Sequence, residues 1–506
     1  METVEDLFRR LEQLNEIGAA LSQEKDTGHL LEKILVAAKA ITRADGGTLY
    51  VLESSDEGPR LRFAIMRTDS LGIAMGGTTG SDIPYYPIHL SGKDGKPNNQ
   101  MVAAYAALTD KTVNIADAYS EEGFDFSGTR NFDKKTGYRS KAFLTVPMKN
   151  HMSEIIGVLQ LINSKDPATG EFGPFSHSDQ RLAESLASQA AIALTNRQLI
   201  DQLERLFKSF IALINTAIDE KSHYTSGHCK RVPELTMMLA EAVNETSDGP
   251  LRNFNMSDKD RYELEIAGLL HDCGKVTTPV HVVDKATKLQ TIFDRINLLD
   301  TLESDREFLR HCNVGREFMP PETQERVKQI GTGYQWTDVS GGTADFLTQD
   351  EIKNLTISKG TLTHEERETI NHHIVATIKM LEALPWPKHL ENVPEYAGGH
   401  HERMDGKGYP KHLTREQMSV QARVMGIADI FEALTAKDRP YKRGKTLTES
   451  LNILGHMKLD GHIDPDLFDI FVRKKVYLRY AEQFLDPDQI DEIDESKIPG
   501  FAADPA

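Results

Sequence analysis

At the roughly 100–200 residues usual for a domain, this chain of 506 residues holds two or three domains with full cores. A formal net charge of −18 excludes a surface that attracts DNA or RNA by charge, so an anionic substrate needs a local cationic or metal site. Three cysteines, Cys229, Cys273 and Cys312, give no disulfide framework and fit a reducing compartment.

The first fourteen residues are charged and amphipathic, without the apolar core of a signal peptide, and no stretch of about 18 apolar residues follows. A cytoplasmic protein without a membrane span is the expectation. Leu14, Ile17, Leu21, Leu30, Leu31, Ile34, Leu35, Ala38 and Ile41 recur at helical spacing and predict one or two amphipathic helices, with residues 1–25 as an N-terminal helix. Gly46-Gly47 then opens short β-like runs at 48–52, 61–66, 112–115, 142–148 and 155–162, and a helix is predicted from 178 to about 196. This order suggests an α+β sensory sandwich over 26–196.

Leu199, Leu203, Leu206, Phe207, Phe210, Ile214 and Ile218 follow at intervals of three and four. They predict a coiled-coil linker helix over 197–220 and a parallel homodimer, with one stripe of an ordinary packed helix as the alternative. Residues 221–484 read as an all-α helical bundle rich in His and Asp. Within it, 294–360 is polar and carries Pro320-Pro321 and Gly341-Gly342. It reads as an insertion, a helical excursion ending in a flexible loop. The acidic tail 485–506 reads as poorly ordered.

The strongest local signal is Leu269-Leu270-His271-Asp272-Cys273-Gly274-Lys275. Adjacent residues on a helix diverge by about 100°, so one cation held by both His271 and Asp272 needs a splayed geometry. A bridging carboxylate supplies it: Asp272 can place one oxygen on each of two cations about 3.5–4 Å apart, while His271 binds only one. Further donors are placed to complete such a site. His228 precedes an apolar-periodic helix, His373 lies on a helix after Thr363-His364-Glu365-Glu366, His400 and His401 are adjacent, and Asp429 ends the apolar run 424–428. Imidazole and carboxylate donors without thiolate favour Fe, Mn, Zn, Ni or Co. With 18 histidines in the chain, any one of them reads alone as a surface or core residue. The joint pattern is what carries weight.

That pattern is His271-Asp272 with Lys275, then His400-His401-Glu402-Arg403-Met404-Asp405-Gly406-Lys407-Gly408-Tyr409-Pro410, then Ile427-Ala428-Asp429-Ile430-Phe431-Glu432-Ala433-Leu434-Thr435, and Asp438-Arg439-Pro440-Tyr441. It closely resembles the HD-GYP family over 221–484 apart from the insertion. The resemblance implies a metal-dependent phosphodiesterase that hydrolyses cyclic di-GMP or 3',3'-cyclic GMP-AMP to a linear dinucleotide. It places the metal ligands on His228, His271, Asp272, His373, His400, His401 and Asp429. Thr377 and Leu381 set the register that favours His373 over its neighbour His372. Tyr224 stands where some members have a glutamate for a third metal, which implies two divalent metals, Fe or Mn first and Zn, Ni or Co as alternatives.

Lys275 is expected to offer its ammonium to a phosphate oxygen, and Arg439 and Lys442 to clamp the second phosphate or a guanine edge. A solvated helix-end lysine is the plainer reading of Lys275. Gly406 and Gly408 permit a tight loop beside His400-His401, stiffened by Tyr409-Pro410, with a structural role or a protein partner to dock. Cys273 replaces an apolar residue and is expected to be buried and inert. Glu432 replaces a common Asp outside the expected ligand set. His223, His281, His364, His389 and His412 are expected to be ordinary residues.

Residues 26–196 resemble a GAF domain of the kind found in cyclic nucleotide phosphodiesterases and cyclases, on Asp133-Lys134-Lys135-Thr136-Gly137-Tyr138-Arg139-Ser140 and the strands after it. Of the Asn-Lys-Phe-Asp-Glu signature, Asn163, Phe175 and Asp179 are present, whereas Ser164 and Gln180 stand in the Lys and Glu places. The resemblance implies a cyclic nucleotide or another small regulatory ligand, or none and a role in dimerisation. Two other functions compete with the enzyme: an adaptor that senses cyclic dinucleotides and signals through a partner at the Gly-Tyr-Pro loop, and a hydrolase of linear nucleotides. The full ligand set argues against the first, and the Gly-Tyr-Pro loop against the second.

Overall fold

In the computed structural model the described residues are 4–502 apart from 93, 167–168, 222–226, 293, 295, 298–301, 316–317, 338–340 and 438–443. Two compact units divide the chain, Met1–Phe207 and Lys208–Ala506.

The first unit begins with α1 (Val4–Gln23) and α2 (Thr27–Thr42), followed by β1 (Ala44–Ser55), β2 (Gly58–Thr68), β3 (Ile73–Gly76) and β4 (Ile88–His89). Then come α3 (Val102–Thr109), β5 (Val113–Ile115), α4 (Ser127–Thr136), β6 (Phe143–Lys149), β7 (Ile155–Lys165), β8 (Phe172–Gly173) and α5 (His177–Lys221). Asp26 starts α2 by accepting the N–H of His29 at 2.7 Å, and Arg43 ends it in the left-handed region. Between those stops the predicted stripe Leu30, Leu31, Ile34, Leu35, Ala38 and Ile41 is buried with Leu14 and Leu21 of α1 and Leu182, Leu186 and Leu194 of α5. These helices cover one face of an antiparallel sheet in the order β3-β2-β1-β7-β6-β5. Separate clusters, one around Tyr50, Leu61 and Ala104 and one around Phe126 and Phe143, pack α3 and the β5–β6 region. The α+β sandwich read from the sequence is the fold observed.

The helix predicted to 196 and the linker segment after it are one uninterrupted helix, α5. Along its second half Leu199, Leu203, Leu206, Phe210 and Ile214 are exposed, whereas Ile211 and Ile218 are buried.

The second unit is helical. It runs through α6 (His228–Asn244), α7 (Asp258–Leu270), a 3-10 turn Cys273–Thr277, α8 (Val280–Val283), α9 (Glu303–Asn313), α10 (Pro321–Gly333), the strands β9 (Gln335–Thr337) and β10 (Thr343–Asp345), and α11 (Gln349–Leu355). It continues with α12 (His364–Glu382), α13 (Val393–Gly398), α14 (Val420–Thr435), α15 (Leu447–Leu459), α16 (Pro465–Arg473) and α17 (Val476–Phe484). Capping boxes fix several starts, Ser257 with Asp260 for α7, Thr363 with Glu366 for α12 and Thr446 with Glu449 for α15. α6 is central, packed by α7, α14, α16 and α17. Asp464 caps α16, and its fully buried carboxylate also takes Arg415 Nε at 2.8 Å and the guanidinium of Arg423 on α14.

One expectation, the poorly ordered tail, is corrected here. The insertion is helical, as expected, in α9, α10 and α11, and residues 338–340 of its expected loop lie outside the described residues. The described residues from Leu289 to Leu355 build their own core of Leu289, Leu309, Cys312, Val327, Ile330, Phe346 and Leu355, with a β9–β10 hairpin in it. Buried Lys288 donates to the carbonyls of Leu355 (2.9 Å) and Ile357 (2.8 Å), and Lys285 pairs with Glu366 of α12 at 2.8 Å. Polar composition hid this because lysines here serve as internal donors.

The tail 485–502 is packed. Gln489 donates to the Thr435 carbonyl at the end of α14 (2.9 Å), Thr448 N–H donates to Asp491 (3.0 Å), and Ile498 and Phe501 are buried. Acidic composition was a poor guide because a helix end with unmet carbonyls offers such a segment a place to bind.

Candidate metal centre

His271 ends α7 and Asp272 leads into the 3-10 turn, so the chain's change of helical type splays the two side chains. Gly274 in that turn lets α12 approach. A Cβ there would lie 2.0 Å from the His373 carbonyl oxygen, and the Gly274 N–H donates to Thr377 Oγ1 at 2.9 Å. No other residue fits, and this contact brings His373 to Asp272.

Two groups result. His228, His271 and Asp272 form one, and His373, His400 and His401 the other, with ligand atoms within 4.8 Å of one another in each. Asp272 joins them: Oδ2 lies 3.1 Å from His228 Nε2 and 3.2 Å from His271 Nε2, and Oδ1 lies 3.2 Å from His373 Nε2. Asp429 Oδ1 is 3.4 Å from His228 Nε2. The structure therefore gathers all seven expected ligands. His372 is exposed, as are His281, His364, His389 and His412. Arg439, Lys442, Tyr224 and His223 lie outside the described residues.

Three rings are oriented alike. His271, His373 and His400 donate Nδ1–H to the carbonyls of Gly268 (2.7 Å), Ile370 (2.5 Å) and Ala397 (2.6 Å), each three residues back. Each Nε2 is thereby left with a lone pair. His228 Nε2 and His271 Nε2 then face each other at 3.3 Å, and His373 Nε2 and His401 Nε2 at 3.2 Å. Such close nitrogens need a proton or a cation between them. His400 Nε2 and Asp272 Oδ1 are buried without a hydrogen bond. The donor set thus fits divalent cations held by nitrogen and oxygen. The nearby thiols of Cys229 and Cys273 are buried, and burial pushes them up to about 12 and about 11.

Burial opposes charge throughout the centre, yet opposite charges prevail at its acids. Burial would raise Asp272, but the Lys275 ammonium, with the facing His271 and His228 rings, holds its carboxyl well below the usual range. Asp429 is likewise held far down, burial being outweighed first by His228. Burial would lower Lys275, but Asp272 raises it, and the ammonium is ion-paired to Asp272 Oδ2. Burial and then the neighbouring His271 ring push His400 down to about 4, a neutral imidazole.

The Gly-Tyr-Pro loop folds over this centre. Buried Glu402 accepts the N–H groups of Lys411 (2.7 Å) and Leu413 (2.9 Å), and a Cβ on Gly408 would lie 2.3 Å from Arg403 N. Tyr409 stacks on His401 with ring centroids 4.9 Å apart.

One residue set aside in the sequence belongs here. Glu432 accepts from His228 Nδ1 at 2.6 Å and from Arg231 Nε at 2.7 Å. Its spacing from Asp429, three residues along one helix, was the available signal.

The first unit contains a cavity of about 390 Å³, lined by Tyr50, Phe63, Phe126, Phe132, Lys135 and Phe143 among others. Asn163 holds the nearby chain by accepting the N–H groups of Lys141 (2.8 Å) and Ala142 (3.0 Å). Asp179 finds its cation in Arg10 of α1, where Ser164 provides none.

A GAF-domain model matches residues 26–194, and HD-domain models match 225–327 and 349–467. A 3'3'-cGAMP-specific phosphodiesterase 1 of Vibrio cholerae is 25% identical over 268 residues, 52% of this chain and 41% of that protein. Phosphodiesterase 3 of the same name and organism is 26% identical over 251 residues, 50% of this chain and 35% of that one. A cyclic di-GMP phosphodiesterase of Pseudomonas aeruginosa is 43% identical over 74 residues, 15% of this chain and 17% of that one. The matched stretches span less than half the length of these relatives. Among the described residues no helix is long and apolar enough to cross a membrane. The chain thus joins a GAF domain to an HD domain that is contributed by two stretches and is homologous to these HD-type phosphodiesterases.

Proposed function

We propose that this protein is a metal-dependent phosphodiesterase that opens a 3',3'-cyclic dinucleotide, cyclic di-GMP or cyclic GMP-AMP, to the linear dinucleotide under control of its GAF domain. The observation that carries the reading is the meeting of a His/Asp group and a three-histidine group at one carboxylate, Asp272. The activities named for the Vibrio and Pseudomonas relatives supply the substrate class. His228, His271, Asp272, His373, His400, His401 and Asp429 would hold two divalent cations, Fe or Mn first. Such cations, when bound, neutralise phosphate charge and activate water toward phosphorus.

The chain's own groups do the rest. Asp272 and Asp429 stay ionised at any physiological pH, since both are held below the usual carboxylate range. Lys275 brings a permanent positive charge to where charge accumulates on a non-bridging oxygen. Lys275→Met is expected to lower kcat on the order of 10²-fold while metal content stays at the wild-type level. Unchanged kcat would make Lys275 a mere partner of Asp272. Arg439 and Lys442 remain the candidates for the second phosphate.

The same proposal includes a homodimer through α5 and the GAF domain. The exposed row Leu199, Leu203, Leu206, Phe210 and Ile214 supports it. Leu203→Glu with Leu206→Glu should halve the mass found by light scattering, and an unaltered mass would remove this part. The aromatic cavity supports a small regulatory ligand in the GAF domain. Free, buried Cys229, Cys273 and Cys312 fit a reducing cytoplasm.

The test is turnover of both cyclic dinucleotides by the anaerobically purified full chain reconstituted with Mn or Fe. Linear product is expected. Tight binding without product would instead favour a sensing adaptor that uses the Gly-Tyr-Pro loop for a protein partner.

A further inference from the structure

His228 is oriented differently from the three rings that rest on carbonyls of their own helices. Its Nδ1 meets Glu432 Oε2 of α14 at 2.6 Å, and its Nε2 faces Asp429 Oδ1 of the same helix at 3.4 Å. One helix therefore addresses both nitrogens of the ring. The second oxygen of Glu432 is occupied as well, by Arg231 Nε and Nη2, both at 2.7 Å. Arg231 follows His228 by three residues on α6, so the two share a face and converge on one carboxylate. That carboxylate is 1% exposed, which removes water as a competing partner.

We propose that Glu432 is a positioning residue of the centre: locked by Arg231, it keeps the proton of His228 on Nδ1 and turns the Nε2 lone pair to the cation. This rests on the metal-centre reading above. A carboxylate can only accept, so it dictates which ring nitrogen carries hydrogen. An amide in its place can accept on one side and donate on the other. Because Arg231 has only N–H groups to offer, glutamine at 432 turns its oxygen to Arg231 and its NH₂ to His228 Nδ1. The proton then moves to Nε2, and the ring can no longer ligate. No atom of Glu432 touches substrate or cation in this role.

The probe is Mn²⁺, titrated into the metal-free full chain against a chromogenic chelator. Wild type is expected to bind, and Glu432→Gln to bind about 10- to 100-fold more weakly, as for other outer partners of metal-bound imidazoles. Adding Arg231→Met to Glu432→Gln frees the amide to turn its oxygen to His228, so the double variant should regain most of the lost affinity. A purely structural role predicts the opposite, two losses that add. As a measurement that needs no Arg231 variant, the imidazole ¹⁵N shifts of His228 in Zn²⁺-loaded protein should show a protonated Nδ1 and a metal-bound Nε2 in wild type, a pattern that Glu432→Gln should lose. Equal Mn²⁺ affinity in wild type and Glu432→Gln, or unchanged ¹⁵N shifts, overturns the proposal. A wild-type chain that fails to bind Mn²⁺ at all, while Asp272→Ala behaves identically, overturns the metal centre itself.

Discussion

Asp272→Ala is expected to strip the full chain of metal and to lower cyclic dinucleotide turnover on the order of 10³-fold or more. Asp272 faces members of both groups, with Oδ2 toward His228 and His271 and Oδ1 toward His373. Removing it leaves half-buried Lys275 without its closest ionic partner and leaves the facing imidazoles of His228 and His271 without that anion. Binding and catalysis should therefore fall together, which elemental analysis beside a turnover assay will read. Asp272→Asn is the sharper comparison. It preserves shape but supplies one oxygen instead of two and no charge, and it should fall close to the alanine variant. Full metal occupancy in either variant would remove Asp272 from the centre.

Asp464→Ala is expected to cost about 3–5 kcal/mol of stability, the range for breaking a buried ion pair, to which loss of the α16 cap contributes. Asp464 pulls three elements together, the start of α16, the segment after the Gly-Tyr-Pro loop through Arg415, and α14 through Arg423. Burial would raise its pKa, but the Leu467 N–H and the two guanidinium groups hold it below the ordinary value. A depressed pKa in the fold means the stabilisation is fully present above the unfolded value near 3.9 and is lost as pH falls through the folded one. The wild-type melting temperature should therefore drop on acidification below about pH 4 more steeply than that of the variant. Parallel pH profiles would show that Asp464 is not a net contributor.

The candidate metal centre was legible because its residue types come in short runs. His271-Asp272 and His400-His401 announce themselves, and Thr377 fixed the choice of His373 through helical register. What could not be read was which helix faces which. Glu432 seemed a neutral exchange until α6 and α14 were seen to meet, because its partner His228 lies 204 residues away. Arg10 was invisible as the counter-ion of Asp179 for the same reason. The hairpin and core of the insertion escaped the reading in another way: its strands are three residues each, too short for any alternation, and its core is spread over several short helices.

That insertion also bears on how the centre assembles. Asp272 and His373 are about 100 residues apart, a loop whose closure must be met before either group can share a cation. Because the inserted lobe has its own core and is clasped at its base by Lys285 and Glu366, it can order first and act as a folded bead rather than slack chain. The segment left to close is then about 20 residues, a saving of roughly 1–1.5 kcal/mol. Loosening the clasp should thus slow formation of a centre whose ligands it never touches.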